Sequence, residues 1–226
     1  MTAIVFDLDG TLIDSAPDIH VAANKVLADE GLPQVTLAQA TGFIGGGAPI
    51  FVSRMMAALG LGADAATHAR LLERFLGQYE EAVTLTRPYP GVEAALDALA
   101  AAGHRLAICT NKPEEPAHIV LRHLGMANRF EMVLGGDSLA VRKPDPEPLT
   151  HILTRLGTND ALYVGDSEVD AETAHGAAIP FALFTEGYRK APVEELPHAY
   201  RFDAFDALPG LAAAHFDGRG PRVAAK

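Results

Sequence analysis

The sequence predicts an α/β fold, in which a doubly wound parallel sheet carries a small α-helical cap. Two observations lead to this prediction. Short apolar runs of strand length alternate with helical patterns, which is typical of parallel sheets with helices on both faces. Between the first and second runs lie about seventy surplus residues, too many for a loop in a compact domain. We therefore expect a separate helical insertion at that point.

Five segments are predicted as strands because each is short, apolar and partly β-branched, and the first ends in Asp-Gly, a turn signal. They are Ala3–Leu8, Leu106–Thr110, Met132–Leu134, Leu162–Gly165 and Phe181–Phe184. Helical patterns lie between them, and two of these patterns are closed by Gly103 and Gly125. Glycine commonly follows the last turn of a helix, so both positions fit helix ends.

Within the insertion, apolar residues recur at the three- and four-residue spacing of helices. The positions are Ile19, Ala22, Ala23, Val26 and Leu27, then Phe51, Met55 and Leu59, then Leu71, Leu72, Phe75, Leu76 and Tyr79. Ser15 is the expected N-cap of the first helix, and Gly31-Leu32-Pro33 its expected end. We expect a core of residues 1–14 and 85–214, a cap of residues 15–84 and a disordered tail of residues 215–226. Because ligands bind at the carboxyl ends of parallel strands, such a cap would cover the site.

The composition is that of an ordinary globular protein, with 226 residues, 49% of them hydrophobic, and a formal net charge of −11. That charge argues against general attraction to nucleic acid or to an anionic membrane. No run approaches the ~18 apolar residues of a membrane span, and no basic N-terminal leader is evident. We expect a cytoplasmic protein that is a monomer or small homo-oligomer. The single cysteine, Cys109, lies in an apolar run and is expected to fill core space.

The first predicted strand runs into two acidic residues, Asp7 and Asp9. Positions i and i+2 of an extended segment point the same way, so both carboxylates would face one space. Like charges so close are costly unless a proton or a cation relieves them. An isolated Asp-x-Asp-Gly is equally consistent with a simple turn that ends the strand.

Three further segments place polar side chains at or just beyond the carboxyl ends of predicted strands. Thr110 and Asn111 end the second strand, Lys143 precedes a helix, and Asp166 and Asp170 follow the fourth strand. Alone, each has a structural explanation: a helix cap, a solvated loop lysine, or acids favoured by a helix N-terminus. Their joint occurrence at one sheet edge instead predicts a single site.

With these polar residues in this order along the chain, the sequence resembles the haloacid dehalogenase superfamily of phosphatases. The resemblance rests on Asp7-Leu8-Asp9-Gly10-Thr11, Thr110, Lys143 and Gly165-Asp166-Ser167-x-x-Asp170, in the order of the superfamily. The insertion matches the helical cap of its first cap class, and the core it implies is Rossmann-like. Residues 14–18, 109–113 and 135–146 most resemble the members that hydrolyse 2-phosphoglycolate.

The resemblance implies roles for the core residues. Asp7 would be the nucleophile that forms an aspartyl-phosphate, and Asp9 the general acid and then the general base. Thr110 and Asn111 would hydrogen-bond the phosphoryl oxygens, and Lys143 would neutralise their charge.

The same resemblance implies Mg²⁺ as the cofactor. Asp166 would bind the ion together with the Asp7 carboxylate and the backbone carbonyl of Asp9, and Asp170 would act through water or by orienting the ligands. An oxygen-only, acid-rich site suits Mg²⁺ better than zinc.

The cap is expected to select the substrate, a small phosphorylated metabolite. Gly45, Gly46 and Gly47 are either a flexible turn between helices or a loop whose N–H groups meet the organic end of the substrate. Arg54 could reach a carboxylate but fits a solvated helix position better.

The favoured activity is hydrolysis of 2-phosphoglycolate. The alternatives are a capped phosphatase for a sugar phosphate or pyrophosphate, and a receiver-like phospho-acceptor module, which would need neither the cap nor Asp9.

Overall fold

The computed structural model describes residues 1–79 and 82–218. Its strands, in chain order, are β1 (Ala3–Phe6), β2 (Ile13–Asp14), β3 (Arg87–Pro88), β4 (Arg105–Cys109), β5 (Met132–Leu134), β6 (Ala161–Gly165), β7 (Phe181–Phe184) and β8 (Tyr200–Phe202). Its α-helices are α1 (Ala16–Asp29), α2 (Leu37–Phe43), α3 (Ala48–Ala58), α4 (Ala65–Tyr79), α5 (Val92–Ala101), α6 (Glu114–His123), α7 (Glu147–Leu156), α8 (Glu168–Gly176) and α9 (Leu208–Phe216).

The main sheet has six parallel strands in the order β5-β4-β1-β6-β7-β8, which confirms the predicted fold class. Helices α5, α6 and α9 cover one face of the sheet, and α7 and α8 cover the other. Every residue of β1 is buried, since this strand lies between β4 and β6. Phe6 is opposite both Ile108 and Val164, so the residues that follow the three central strands lie side by side at one edge of the sheet.

All five predicted strands are present in the main sheet, but the first is shorter than expected, and the sixth strand of that sheet and the β2–β3 pair were not predicted. The first strand ends at Phe6, because the chain turns at Asp7–Gly10 to bring the residues that follow over the sheet edge. The unpredicted edge strand, β8, has three residues, of which Arg201 is exposed. So short a run with a charged centre carries almost no apolar signal in the sequence.

Helices α1 to α4 lie between β2 and β3 and bury an apolar cluster of their own. The antiparallel pair β2–β3, in which Ile13 is opposite Pro88, is where the chain leaves and re-enters the core. The division of the chain at residues 15 and 84 stays a prediction. Helix α2 was not predicted; its start is fixed by a capping box between Thr36 and Gln39.

The predicted N-cap at Ser15 has the right position but a different partner. Ser15 precedes α1, yet its hydroxyl donates to Asp9 Oδ1 at 2.6 Å and not to the backbone of the helix. The first turn of α1 is thereby tied to the acidic end of β1.

The C-terminal segment is ordered further than predicted. Helix α9 continues to Phe216, because the Phe216 ring packs on His104 and the His215 ring on Tyr200, with centroids 4.8 and 5.7 Å apart. Residues 215–218, which the predicted disordered tail includes, are therefore part of the described structure: 215 and 216 end α9, and 217 and 218 form the turn after it. The rest of the predicted tail, residues 219–226, lies outside the described residues.

Two further sequence-based expectations concern burial and membranes. Cys109 is fully buried, as expected of core filler, and burial raises the pKa of its thiol to about 12. In the described ranges, no helix combines the length and apolar character needed to cross a bilayer.

Asp18 connects the start of α1 to the segment that returns to the core. Its buried carboxylate accepts hydrogen bonds from the N–H groups of Leu85 and Thr86 and from the Thr86 hydroxyl, at 2.6 to 3.1 Å.

Asp18→Ala should lower the free energy of unfolding by about 2–4 kcal/mol, since buried donors lose their acceptor. Urea denaturation measures this. Asp29→Ala, at an exposed acid of the same helix, should change it by no more than about 0.5 kcal/mol; equal effects would contradict this role of Asp18.

Candidate active site

The predicted site residues meet at the carboxyl ends of the central strands, beneath the four cap helices. Asp7 and Asp9 follow β1, Thr110 and Asn111 follow β4, and Asp166 follows β6. A cavity that is open to solvent separates this sheet edge from the cap. Its lining is polar on the core side and largely apolar on the cap side, comprising Asp7, Asp9, Thr110, Asn111, Lys112, Pro113, Ile19, Ile44, Gly45, Gly47, Ala48, Phe51, Phe75 and Tyr79.

Lys143 is the buried cation of the core side. Its Nζ lies 3.0 Å from Asp7 Oδ1 and 2.7 Å from Asp170 Oδ1, and it donates to the Tyr163 hydroxyl at 3.0 Å. Burial by itself would lower the pKa of Lys143, but the carboxylates of Asp170 and Asp7 outweigh it and raise that pKa above its usual value. The ammonium group therefore stays charged next to Asp7.

Asp170 holds Lys143 in place from the first turn of α8. Its Oδ1 accepts from Lys143 and from the Tyr163 hydroxyl, while Oδ2 accepts from the Ser167 hydroxyl at 2.6 Å. Ser167 and Asp170 form a capping box, so the residue that caps α8 also orients the acid. With both oxygens accepting protein hydrogen bonds, Asp170 is placed to orient Lys143 and its neighbours.

Asp166 is fixed by two donors that the sequence analysis did not identify. Its Oδ1 accepts from the Thr11 hydroxyl at 2.7 Å, and its Oδ2 from the Tyr188 N–H at 2.6 Å. The backbone at Gly10 has a φ of +87°, and a Cβ there would lie 2.6 Å from Asp166 Oδ2. Glycine is required at this turn for both its conformation and its close approach to the acid.

Asp9 faces the cap. Its Oδ1 accepts from the Ser15 hydroxyl and lies 3.3 Å from Lys112 Nζ, and its Oδ2 accepts from the Tyr79 hydroxyl at 3.5 Å. Lys112 also donates to the Tyr79 hydroxyl. Burial lowers the pKa of Lys112, and the Asp9 carboxylate opposes that shift.

The predicted cap loop reaches the core through Asn111. The Asn111 Nδ2 group donates to the Gly45 carbonyl at 3.0 Å and to the Lys143 carbonyl at 2.9 Å. Both amide N–H groups are therefore engaged with backbone, whereas the sequence analysis assigned them to a phosphoryl group. Gly47 also approaches the core closely, because a Cβ at this position would lie 3.1 Å from the Asn111 carbonyl. At Gly46 a Cβ would collide with Ile50 at 2.8 Å, so that glycine serves loop packing.

Arg54 does not line the cavity. Its Nη1 donates to the carbonyls of Phe43 and Ile44, which places it between α3 and the end of α2. The half-buried guanidinium group therefore stabilises the loop between α2 and α3 through contacts inside the cap.

The acidic groups suit a divalent cation. Within the described residues, carboxylate oxygens of Asp7, Asp166 and Asp170 lie within 4.8 Å of one another. Burial, reinforced by the negative charge of Asp170, raises the pKa of both Asp7 and Asp166. Carboxyl groups this close to one another resist being ionised at the same time. A hard cation such as Mg²⁺ stabilises their ionised forms. The residues present therefore fit the predicted ion.

Several site residues escaped sequence reasoning. Lys112 directly follows the Thr-Asn pair at the end of β4, so its place in the chain could have marked it. Thr11 belongs to the acidic motif itself. Tyr79, Tyr163 and Tyr188 gave no signal, because an aromatic residue in a helix, a strand or a loop usually serves packing.

Comparison with known proteins places the chain in a family. The family model for haloacid dehalogenase-like hydrolases matches residues 4–184, and the chain belongs to that family. Within it, the chain is a phosphatase that hydrolyses phosphoric monoesters.

Named relatives cover almost the whole chain. A phosphoglycolate phosphatase from Cereibacter sphaeroides is 53% identical over 212 residues, which are 93% of this chain and 97% of that protein. A phosphoglycolate phosphatase from Rhodobacter capsulatus is 44% identical, covering 92% of this chain and 95% of its own length. The crystal structure of a predicted phosphoglycolate phosphatase from Haemophilus somnus superposes with a TM-score of 0.86 at 32% identity, covering 91% of this chain and 95% of its own.

Tyr163 tests the arrangement around Lys143. Tyr163→Phe removes a hydroxyl that bridges Lys143 and Asp170 without changing the shape of the core. We expect kcat/KM for an aryl phosphate to fall about 2- to 10-fold, as for loss of one buried hydrogen bond. Tyr200→Phe is the matched control, since that hydroxyl lies at the sheet edge, 3.2 Å from a ring nitrogen of His215. An unchanged rate in Tyr163→Phe, or an equal loss in Tyr200→Phe, would contradict the prediction.

Proposed function

We propose that this chain is a Mg²⁺-dependent phosphatase that hydrolyses 2-phosphoglycolate to glycolate and phosphate through an aspartyl-phosphate on Asp7. One observation carries the chemistry: Asp7 lies against the Lys143 ammonium group, with the second carboxylate, Asp9, on the cap side of the same cavity. The substrate is supported by the relatives named phosphoglycolate phosphatase, at up to 53% identity.

The first half of the reaction forms the covalent intermediate. A carboxylate oxygen of Asp7 attacks phosphorus, and the bond from phosphorus to the ester oxygen breaks. Oδ1 of Asp7 already accepts from Lys143 and from the N–H of Leu8. Across the described ranges, Oδ2 accepts no protein hydrogen bond, which leaves it the freer nucleophile. Covalent catalysis of this kind divides one difficult displacement into two easier ones.

Asp9 moves the protons. In its protonated form it gives a proton to the departing ester oxygen, so that glycolate leaves as the alcohol. The resulting carboxylate then takes a proton from a water molecule that attacks phosphorus, which releases phosphate and restores Asp7. The hydroxyl groups of Ser15 and Tyr79 orient Asp9 for both steps.

The metal is proposed to lie at the acidic cluster. Asp7, Asp166 and the backbone carbonyl of Asp9 would hold Mg²⁺, and Asp170 would act through water or by orienting the other ligands. When bound, the ion supplies positive charge to the phosphoryl oxygens and to the clustered acids. Thr11 and Tyr188 hold Asp166 in position for this role.

The phosphoryl group is proposed to bind between Thr110 and Lys143. Thr110 is buried and lines the cavity, and Lys143 provides the positive charge. Asn111 contributes to substrate binding through a different route than expected, because its amide fixes the Gly45 carbonyl above the site. Its buried Oδ1 has no partner within the described chain and remains able to accept a hydrogen bond.

The cap is proposed to select the substrate. The loop of Gly45, Gly46 and Gly47 brings backbone close to the core, where its N–H groups can meet a small anionic group. The runner-up function is a capped phosphatase acting on another small phosphate, such as a sugar phosphate or pyrophosphate. Location in the cytoplasm and a monomeric or small homo-oligomeric state stay predictions from the sequence.

The two aspartates should be separable by mutation. Asp7→Asn removes the nucleophile and should abolish the phosphoenzyme trapped by rapid acid quench. Asp9→Asn retains the nucleophile but lacks the proton shuttle, so turnover should fall by ~10²–10⁴. Asp29→Asn, at an exposed acid of α1, is the control and should behave as wild type. The same amount of phosphoenzyme in wild type and Asp7→Asn would refute the proposed roles.

Substrate choice should depend on the carboxylate. Polar groups built to pair with it would be left unpaired by a neutral ester, at roughly 1–3 kcal/mol each. We expect kcat/KM for 2-phosphoglycolate to exceed that for glycerol phosphate by at least about tenfold. A substrate panel under one set of conditions measures this. Preference for a hexose phosphate or pyrophosphate would show that the proposed substrate is wrong while the phosphatase chemistry stands.

A further inference from the structure

Lys112 places a second buried ammonium group at the cavity, next to Asp9. Its side chain is 4% exposed, and it lines the cavity together with Asp9 and Tyr79. Burying an ammonium group is costly unless it is well paired. The roles proposed above for the phosphoryl group and the metal do not use this charge.

The pairing of Lys112 within the chain is incomplete. Its Nζ lies 3.3 Å from Asp9 Oδ1, an oxygen that already accepts a shorter bond from Ser15. The other contacts are with Tyr79: a hydrogen bond to the hydroxyl, and the ring face, whose centroid lies 4.0 Å away. An ammonium group has three donors. In the part of the chain that the structure describes, two acceptors, Asp9 Oδ1 and the Tyr79 hydroxyl, take two of these donors, so the third is available to a ligand.

The other cations around the site have different partners. Lys143 lies between Asp7 and Asp170. Arg54 donates to backbone carbonyls in the cap, and Lys190 donates to the Ile44 carbonyl at 2.9 Å. In the described chain, Lys112 is the sole cation that lines the cavity beneath the cap, and Lys190 lines a smaller neighbouring pocket that shares Asp7, Asp9 and Gly45 with it.

The location of Lys112 matches the shape of the proposed substrate. Asp9 must approach the departing ester oxygen in order to protonate it. In 2-phosphoglycolate the carboxylate is attached to the carbon that bears this oxygen. A group that binds the carboxylate must therefore lie next to the proton donor, and Lys112 contacts Asp9 directly.

The cap side of the cavity favours this contact. Phe51, Phe75 and Tyr79 stack in sequence, with centroids 4.8 and 5.3 Å apart, and form an apolar roof. A roof of this kind excludes water, and charge pairs are stronger where water is excluded. It also offers no hydrogen bonds to a sugar, apart from the Tyr79 hydroxyl that already contacts Lys112.

The geometry points to Lys112 as a specificity-determining residue, whose ammonium group binds the carboxylate of the substrate while Lys143 binds the phosphoryl group. This inference rests on the proposed function and extends it, since it assigns the charge that separates carboxylated from neutral phosphate esters. The glycine loop then offers its N–H groups to the same carboxylate, and Lys112 supplies the charge.

The test compares 2-phosphoglycolate with ethyl phosphate, in which a methyl group replaces the carboxylate. We expect wild type to prefer 2-phosphoglycolate by at least about tenfold in kcat/KM, and Lys112→Met to bring that ratio close to one. Lys112→Arg retains the charge and should retain part of the preference. A role of Lys112 confined to positioning Asp9 would slow both substrates equally and leave the ratio unchanged.

Lys25→Met is the control, because it removes the same charge from an exposed position of the cap helix α1 that does not line the cavity. Its substrate ratio should stay within about threefold of wild type. A loss as large as that of Lys112→Met would indicate a general effect of charge and overturn the assignment. Lys112→Gln provides the same comparison if the methionine variant does not unfold cooperatively.

The outcomes separate the two proposals. A wild-type ratio near one overturns the proposed substrate, and the inference with it. A wild-type ratio above ten that survives in both Lys112→Met and Lys112→Gln overturns the inference alone. Affinities of the two esters for Asp7→Asn, with and without Lys112→Met, provide the same ratio without turnover.

Discussion

Four carboxylates meet at one buried sheet edge, and the site depends on how their charge is compensated. Asp7, Asp9, Asp166 and Asp170 face two ammonium groups, Lys143 and Lys112, so two negative charges remain when all are ionised. Burial makes that surplus expensive, as the raised pKa of Asp7 and of Asp166 indicates. A divalent cation is the simplest compensation. The carboxylates are brought together by the parallel register of the central strands, because these strands end side by side at one edge of the sheet.

The cap and the core are connected through the same charges. Asp9 is held by Ser15 at the start of the cap and by Tyr79 at the end of α4, while Asn111 holds the cap loop at Gly45. Each of these contacts joins a residue that lines the cavity to a cap element. Opening the cap would therefore disturb Asp9 as well as uncover the cavity. The arrangement couples substrate enclosure to the position of the proposed proton donor.

The sequence predicts the parts of this protein whose signal is local. The fold class follows from alternating apolar runs, and the acidic cluster follows from Asp7 and Asp166 directly after their strands. Tyr79 could not be predicted as a site residue, because its contact with Asp9 depends on how the cap folds over the core, 70 positions along the chain. The amide of Asn111 was assigned to phosphate because hydrogen bonds to distant carbonyls leave no trace in a motif. The short strand β8 was missed for a similar reason, since its pairing with β7 and not its composition makes it a strand.

The central claim is that the acidic cluster is a divalent cation site, and calorimetric titration of Mg²⁺ tests it most directly. The wild-type protein should bind one Mg²⁺ per chain. Asp166→Asn should weaken that binding by at least about tenfold, since it removes a ligand charge while retaining hydrogen-bonding capacity. Asp29→Asn, at an exposed acid, should leave it unchanged. Absence of Mg²⁺ binding by wild type, or undiminished binding by Asp166→Asn, would contradict the claim.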